Sequence, residues 1–254
     1  MAITIKSERE IELMAEAGKI LERVHNELEK ALRPGMSTKD IDTLGEEIIR
    51  SYGCIPSFLN YNGYPASICV SVNKEVVHGI PDKHRIIQEG DIVSLDAGVI
   101  YKGYHSDAAR THAVGEVSEE AKKLIQVTKE SFFEGIKFAK AGNHLFDISG
   151  AIGRYAEERG YGVVRDLCGH GIGTALHEAP EIPNYEVGRK GVRLRPGMTL
   201  AIEPMINIGT HEVDWLDDDW TVVTRDGSLS AHYENTILIT EGEPRILSLT
   251  CENE

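Results

Sequence analysis

The sequence predicts an α/β protein built from two copies of a helix–helix–strands unit. The same order of elements occurs twice along the chain, and an offset of 107 residues relates many positions of the two copies. Hydrophobic residues make up 41% of the chain and charged residues 27%, which is typical of a globular protein with a substantial core. We therefore expect a single domain over residues 1–254, with repeats at about 7–115 and 118–250.

The first copy opens with two predicted helices. Ser7 and Glu10 form a capping box, and apolar residues at helical spacing follow until Arg33-Pro34-Gly35 ends the pattern. The second helix ends at Gly53, a typical C-terminal glycine. Its predicted apolar face consists of Ile41, Leu44, Ile48 and Tyr52. Strand-like segments then continue to about Gly115.

The second copy repeats this pattern of helix starts and terminal glycines. A helix is predicted from Ser118, and the helix after it ends at Gly160. Adding 107 to Gly35 gives Gly142, and adding it to Gly53 gives Gly160. The same offset relates Asp40 to Asp147, Ile41 to Ile148, Ile87 to Leu194, Gly90 to Gly197 and Asp96 to Glu203. If the copies pack about a pseudo-twofold axis, the last pair of acids faces a shared cleft.

Two acids flank a predicted β-hairpin in the first copy. The turn at Tyr101-Lys102-Gly103 lies midway between Asp96 and Asp107. Opposed or nearly opposed residues of a hairpin have Cβ atoms about 4.5–5.5 Å apart, so we expect the two carboxylates to converge. Among apolar neighbours, such convergence indicates a bound cation, a shared proton or exposure to solvent, and the hairpin alone leaves these alternatives open.

The second copy supplies further candidates in apolar surroundings. His170 lies in a glycine-rich segment, while Glu203 and Glu234 each border an apolar run. Any one of these residues is explained equally well by a structural role. Together with the hairpin acids, however, they bring four carboxylates and one imidazole, which binds metals in its neutral form. Two divalent cations would balance the four charges, and this donor set suits first-row metals.

Composition excludes several classes of function. The formal net charge of -14 would repel a phosphate backbone, so we expect no nucleic-acid partner. We also expect no membrane contact, since no stretch approaches the roughly 18 consecutive apolar residues of a membrane helix and the N-terminus has no signal-like apolar core. The cysteines are widely spaced, without a C-x-x-C pair, which favours a reducing cytoplasm. They are Cys54, Cys69, Cys168 and Cys251.

Five longer stretches, spread over residues 70–240, carry a more specific pattern. They are VSVNKEVVHGIP, DIVSLDAGVIYKGYHSDAARTHAVG, CGHGIGTALHEAP, MTLAIEPM and SAHYENTILIT. Together they resemble the type I methionine aminopeptidases. The resemblance implies the duplicated pita-bread fold, in which antiparallel sheet surrounds a central cleft with two divalent metal ions, Co, Mn, Fe or Zn. The metal ligands that it implies are Asp96, Asp107, His170, Glu203 and Glu234.

The resemblance also implies roles in catalysis and substrate binding. His78 and His177 would hydrogen-bond the peptide, and Glu203 would relay a proton during catalysis. Leu176 stands where relatives can carry a larger aromatic residue. The apolar methionine pocket that the resemblance implies consists of Tyr61, Tyr64, Cys69, Leu176 and Trp220.

The implied enzyme removes the initiator methionine from nascent polypeptides when the second residue is small, by attack of a metal-bridged hydroxide. We expect a cytoplasmic monomer of the short bacterial type, and the chain's own start, Met1-Ala2, has the permitted form. One alternative is another pita-bread hydrolase, an X-Pro peptidase or a creatinase-like enzyme, although those relatives carry a sizeable extra N-terminal domain. The other alternative is a non-catalytic binding protein on the same fold.

Overall fold

Residues 2–249 are described by the computed structural model of the chain, so Met1 and Cys251 lie outside the described residues. Within this part, the first half contains α1 (Glu8–Ala31), α2 (Thr38–Ser51), β1 (Ile55–Pro56), the 3₁₀ helix η1 (Tyr61–Gly63), β2 (Ile68–Val72), β3 (Glu75–Val77), β4 (Ile92–Tyr101) and β5 (Tyr104–Ala113). The second half contains α3 (Glu119–Ile136), α4 (Leu145–Glu157), β6 (Gly162–Val163), β7 (Gly169–Gly171), β8 (Glu178–Ile182), β9 (Thr199–Ile202), β10 (Met205–Asn207), β11 (Val213–Trp215), β12 (Val222–Thr224), β13 (Ser230–His232), β14 (Asn235–Leu238) and β15 (Arg245–Ile246). No helix within residues 2–249 is long and apolar enough to cross a membrane.

The predicted first helix is confirmed at its N-terminus. The Ser7 side chain accepts a hydrogen bond from the main-chain N–H of Glu10, whose carboxylate accepts from the Ser7 N–H at 2.7 Å. This reciprocal pairing satisfies two N–H groups that the first turn would leave without a partner. The helix ends at Ala31, just before the predicted stop.

The predicted apolar face of α2 is partly wrong. Ile41 is buried as expected, and Leu44 and Ile48 are partly buried against the same core. The buried face also includes Gly45 and Ile49, whereas Tyr52 lies past the end of the helix with 39% of its surface exposed. A Cβ atom on Gly45 would lie 2.5 Å from the Ile68 side chain, so the missing side chain lets the helix approach β2 closely. Close contact at a glycine is invisible to a pattern that counts only apolar residues.

The offset of 107 residues holds in the structure. Helix α2 begins at residue 38 and α4 at 145, while β4 begins at 92 and β9 at 199. Two isolated β-bridges follow the same rule, because Ser37 pairs with Ile86 and His144 pairs with Arg193. The left-handed turns at Gly35 and Gly142 have φ angles of 91° and 92°. The two halves therefore share a backbone course through these elements.

Strand alternation turns one acid of each half away from its helices. In β4, Val93, Leu95 and Ala97 pack into the core beneath α1 and α2, so Asp96 points to the opposite face. In β9, Leu200 and Ile202 pack beneath α3 and α4, and Glu203 follows on the opposite face. The helices thus cover one side of each half, and the acids share the other.

The halves meet where β5 runs beside β14. β4 and β5 form a hairpin within a four-stranded sheet, and β14 lies in a five-stranded sheet ordered β15-β14-β9-β7-β8. The main chains of Ala109 and Glu234 exchange N–H to carbonyl hydrogen bonds of 3.4 and 3.0 Å. The Asp107 N–H donates to the Thr236 hydroxyl at 2.9 Å. These bonds bring the hairpin acids of the first half beside the acids of the second.

Candidate metal centre and active site

The hairpin acids are adjacent but not directly opposed. Asp96 pairs with Ala109 and Asp107 pairs with Gly98, so the two side chains lie two positions apart on one face of the hairpin. Both are buried, with 9% and 4% of their surface exposed. The turn falls between Tyr101 and Tyr104 as predicted. Of the alternatives left open above, exposure to solvent is therefore excluded.

His170 joins these acids from β7, which lies between β8 and β9. Its Nδ1 lies 2.9 Å from the Gly171 carbonyl oxygen, which can only accept, so Nδ1 carries the proton. Its Nε2 lies 3.9 Å from Asp107 Oδ2 and 3.6 Å from Glu203 Oε1. The backbone contact thus fixes the tautomer that leaves the Nε2 lone pair facing the acids.

All the residues that the sequence predicted for the site line one cavity of about 140 Å³. The five predicted metal ligands line it, namely Asp96, Asp107, His170, Glu203 and Glu234. The predicted catalytic and substrate-binding residues line it too, namely His78, His177, Tyr61, Tyr64, Cys69, Leu176 and Trp220. Residues from positions 61 to 234 are therefore gathered at the junction of the two halves.

Burial opposes the ionisation of all four carboxylates, and repulsion between them adds to the effect for three. Burial raises the pKa of Asp96 to about 7. Burial also raises the pKa of Asp107 and Glu234, with repulsion from neighbouring carboxylates adding to the effect, and the pKa of Glu203 rises through burial and the nearby Asp96. Such shifts arise where buried anions lack a compensating cation.

Among the described residues, protein cations compensate these acids little: Arg110 favours the ionisation of Glu234, but burial and the neighbouring carboxylates outweigh it. Within residues 2–249, none of the four forms an ion pair with lysine or arginine, and their charged-group neighbours at salt-bridge distance are histidines. Arg110 approaches Glu234 but binds its main-chain carbonyl and the side chain of Asn235. The charge is therefore left for a ligand to balance.

The donor atoms fit a divalent metal ion. Donor atoms of Asp107, His170 and Glu234 lie within 4.8 Å of one another. In addition, Asp96 Oδ1, Asp107 Oδ1 and Glu234 Oε1 are buried without a hydrogen-bond partner among the described residues. Buried carboxylate oxygens are normally satisfied, and several unsatisfied ones converging with a free imidazole nitrogen are a suitable ligand set for first-row metals.

Two histidines stand beside this centre with different surroundings. Burial, together with the nearby His177, lowers the pKa of His78 to about 4, so its imidazole is neutral. His177 lies nearer the mouth, where its Nδ1 is 2.7 Å from the Tyr61 hydroxyl and its ring packs 4.2 Å from that of His170. Both rings are thus presented as neutral hydrogen-bonding groups beside the acids.

The predicted methionine pocket is apolar and has a rigid frame. The Tyr64 hydroxyl donates to the Gly79 carbonyl at 2.9 Å, and its ring packs edge-on against Trp220 at 5.1 Å. Cys69 is buried beside them, and burial raises the pKa of its thiol, so the sulfur stays uncharged. Leu176 is also buried. This wall offers a flexible thioether many contacts and no charge.

Comparison with known proteins shows which family shares this arrangement. The profile of metallopeptidase family M24 matches residues 12–241. The chain belongs to metallopeptidase family M24. The matched residues include every residue that lines the cavity described above, which we call the M24 cavity.

Relatives that match along nearly their whole length show which members of M24 this chain is similar to. A methionine aminopeptidase from Clostridium acetobutylicum is 58% identical over 98% of this chain and 100% of its own length. Methionine aminopeptidase 1 of Bacillus subtilis is 52% identical over 94% of this chain and 96% of its own. The crystal structure of a methionine aminopeptidase from Thermotoga maritima matches with a TM-score of 0.96 and 47% identity, over 98% of this chain and 100% of that chain. The predicted resemblance, α/β pita-bread fold class and enzyme class are confirmed.

The M24 cavity also contains residues that the sequence analysis missed. Phe58 and Asn62 line it beside Tyr61. Asn60 and Asn62 have φ angles of 66° and 49°, a left-handed conformation that asparagine tolerates better than most residues. Two asparagines before Gly63 were thus the available signal for an irregular loop that presents aromatic side chains.

His232 is a further residue that was missed. It is 1% exposed, its Nε2 lies 3.8 Å from Glu203 Oε2, and neither of its ring nitrogens has a hydrogen-bond partner among the described residues. Its position two residues before Glu234 was a weak signal, because residues at this spacing often share a strand face.

Proposed function

We propose that this M24 chain removes N-terminal methionine from peptides and nascent polypeptides whose second residue is small. The observation that carries the proposal is one cavity in which four buried carboxylates and an imidazole adjoin an uncharged aromatic and thiol wall. Neither part is sufficient alone. The acids account for hydrolysis with metal ions, and the wall accounts for selection of the methionine side chain.

The metal ligands that we propose are Asp96, Asp107, His170, Glu203 and Glu234. Their four negative charges match two divalent ions, with Co, Mn, Fe and Zn all compatible with the donor types. When bound, such ions supply Lewis acidity and lower the pKa of a water molecule toward about 7. The free α-amino group of the substrate is a further donor, so this site would bind a peptide by its first residue only.

Glu203 is the residue that we assign to proton transfer. It is the most accessible of the four acids, with 14% of its side-chain surface exposed against 5% for Asp107. Its carboxylate would accept the proton of the attacking water and return it to the amine of the leaving peptide. A carboxylate that lies beside the attacking water can serve as general base in the first step and as general acid in the second.

His177 and His78 would bind the reacting peptide group. If the Tyr61 hydroxyl donates to His177 Nδ1, the proton of that ring lies on Nε2, which then donates to the substrate carbonyl oxygen. His78, held with a φ of 59°, would bind the peptide bond from beside Trp220, whose ring centroid is 6.2 Å away. These donors would stabilise negative charge as it develops on that oxygen.

One chain supplies all the proposed groups, and this supports the proposal that residues 7–115 and 118–250 form a single catalytic unit that works as a monomer. Cys54, Cys69 and Cys168 are free thiols, which supports a reducing cytoplasm as the place of work. Nascent N-termini are made there. We propose no nucleic-acid partner, because the net charge is -14, and no membrane partner, because the sequence has no long apolar stretch.

Product analysis of matched peptides tests this proposal. We expect protein supplied with Mn²⁺ to release free methionine from Met-Ala-Ser and to leave both N-acetyl-Met-Ala-Ser and Ala-Pro-Ser uncut. Acetylation removes the α-amino donor without changing the methionine side chain. Cleavage of Ala-Pro-Ser in preference to Met-Ala-Ser would support the X-Pro peptidase alternative, and no cleavage of any peptide would support the non-catalytic one.

A further inference from the structure

The N-terminal segment Thr4–Lys6 passes directly behind the loop that carries His177. The Lys6 N–H donates to the Gly197 carbonyl at 2.8 Å, and Ile3 packs against the core of the second half. Lys6 is 7% exposed, although lysine is almost never buried without a partner. This segment is therefore fixed to the second half by both main-chain and side-chain contacts.

The partner of Lys6 is the residue after His177. Lys6 Nζ lies 2.7 Å from Glu178 Oε2, and the side chains are only 4% and 11% exposed. The Thr4 hydroxyl donates to the same oxygen at 2.6 Å and also contacts Lys6 Nζ. Burial alone would raise the pKa of Glu178, but the hydrogen bonds from Lys6 and Thr4 outweigh it and lower the pKa below the ordinary value.

The other oxygen of Glu178 holds the loop itself. Glu178 Oε1 accepts from the Ala175 N–H at 3.3 Å, and the Gly173 N–H donates to the Ala175 carbonyl at 3.1 Å. A Cβ atom on Gly173 would lie 2.4 Å from Lys6 Cε and 2.5 Å from Glu178 Oε1. Lys6, Glu178 and the turn before His177 thus occupy one closely packed volume, in which movement of the ion pair displaces the turn.

A buried ion pair is weak evidence for stability, because desolvation offsets much of the attraction between the charges. The effect of the ion pair on the position of His177 follows more directly from the structure. Glu178 directly follows His177 in the chain. The ring of His177 contacts the Tyr61 hydroxyl and packs against the ring of His170. Without Lys6, the Glu178 carboxylate would keep the neutral donors Thr4 and Ala175 but lose the cation that balances its charge. We expect it then to turn toward solvent and to displace His177.

We propose that Lys6 is a positioning residue that holds His177 in its reactive place through Glu178. The inference rests on the proposed function, in which His177 binds the substrate carbonyl. It adds that a residue from the opening of the chain, which contacts neither the proposed metal ligands nor the methionine pocket, sets the efficiency of the chemical step.

The first test is Lys6→Met, which keeps the length of the side chain and removes its charge. We expect kcat for Met-Ala-Ser to fall roughly 10- to 100-fold, because small displacements of a reacting group can cost about a hundredfold, while KM changes less than threefold. Manganese content should stay at the parent level. Lys123→Met is the matched control, since Lys123 is exposed on α3, and its kcat should equal that of the parent.

The second test separates positioning from general damage and from failure of the proposed function. Lys6→Met is combined with His177→Ala, and the folded fraction of each variant is measured by circular dichroism. If His177→Ala impairs catalysis and Lys6→Met then has no further effect, Lys6 acts through His177. An equal fold-loss in both backgrounds, or full activity of Lys6→Met, would overturn the inference. Full activity of His177→Ala would instead overturn the proposed role of His177.

The Glu178→Gln variant breaks the same ion pair from the other side, so it tests the inference even if Lys6→Met misfolds. It keeps the shape of the side chain and removes the charge that Lys6 balances. We expect its loss in kcat to match that of Lys6→Met, and the double variant to lose no more than either single variant. Losses that multiply in the double variant would contradict action through one ion pair.

Discussion

The hydroxyl oxygen of Tyr61 lies 2.7 Å from Nδ1 of His177, although 116 residues separate the two in sequence. The contact crosses from the first half of the chain to the second, at the mouth of the cavity. We expect it to give Tyr61 a role besides lining the proposed methionine pocket, because a phenol that donates to Nδ1 would select the imidazole tautomer with its proton on Nε2.

Tyr61→Phe tests this contact with little change in shape. We expect kcat for Met-Ala-Ser to fall roughly tenfold, the equivalent of one lost hydrogen bond of about 1.4 kcal/mol in the transition state. KM should change little, since the aromatic ring that we place in the methionine pocket is kept. Steady-state kinetics give both constants, and a rise in KM at constant kcat would show that Tyr61 acts only in binding.

Metal-free protein should lose stability as pH rises. Burial raises the pKa of Asp96 to about 7, against an ordinary value of 3.8. Between these values the folded protein keeps a proton that the unfolded chain releases, so the free energy of unfolding falls with increasing pH through this window. Asp96→Asn removes the contribution of this residue, while Asp107, Glu203 and Glu234 keep theirs. We expect the metal-free melting temperature of the variant to exceed that of the parent at pH 8.

Thermal melts of both proteins at pH 5 and pH 8, after dialysis against chelator, measure this difference. The advantage of Asp96→Asn should be several degrees at pH 8 and smaller at pH 5, where the parent carboxyl is protonated. Adding Mn²⁺ at pH 8 should stabilise the parent more than the variant. An equal difference at both pH values would show that the carboxyl does not titrate in this range.

Substrate choice should depend on the size of the second residue. By the proposed function, this residue lies near the metal ligands and His78, in the same cavity that takes the methionine side chain. Met-Ala, Met-Gly and Met-Ser starts should be cut, while Met-Leu and Met-Lys starts should resist. Mass spectrometry of a peptide series that varies only this residue decides the question, and equal turnover of Met-Leu and Met-Ala would refute it.

The packing of α1 against the main chain at Leu247 should tolerate no added methyl group. A Cβ atom on Gly18 would lie 2.0 Å from the Leu247 carbonyl oxygen, which is main chain and cannot rotate away. We expect Gly18→Ala to lower the free energy of unfolding by about 3 kcal/mol. Gly242→Ala is the control, because its Cβ would meet nothing within 4 Å. Denaturant melts of both variants measure the contrast, which similar midpoints would contradict.

Much of this architecture could be predicted from the sequence because it depends on local chemistry. The capping box at Ser7, the turn before Tyr104 and the repeated glycines all act within a few residues. The constant offset then supplied one long-range fact, the equivalence of Asp96 and Glu203. Even the proposed set of metal ligands needed only residue types, flanking apolar runs and a family resemblance.

What could not be predicted depends on contacts between distant segments. The inner face of α2 was predicted incompletely because Gly45 packs closely on Ile68, which sequence spacing does not encode. Phe58 and His232 reach the site through the fold of a loop and the pairing of β13. The ion pair of Lys6 with Glu178 joins residues 172 positions apart and has no sequence motif. Such contacts are properties of the tertiary structure.

The central claim is that the carboxylate and imidazole cluster holds the metal ions on which methionine release depends. Its most direct test is a titration of chelator-treated protein with Mn²⁺, followed by both calorimetry and release of methionine from Met-Ala-Ser. We predict no release without metal, recovery as the ions bind, and loss of both binding events in Asp107→Ala and Glu234→Ala but not in the exposed control Glu241→Ala. Full methionine release by protein under exhaustive chelation, or unchanged metal binding in the two cavity variants, would contradict the account.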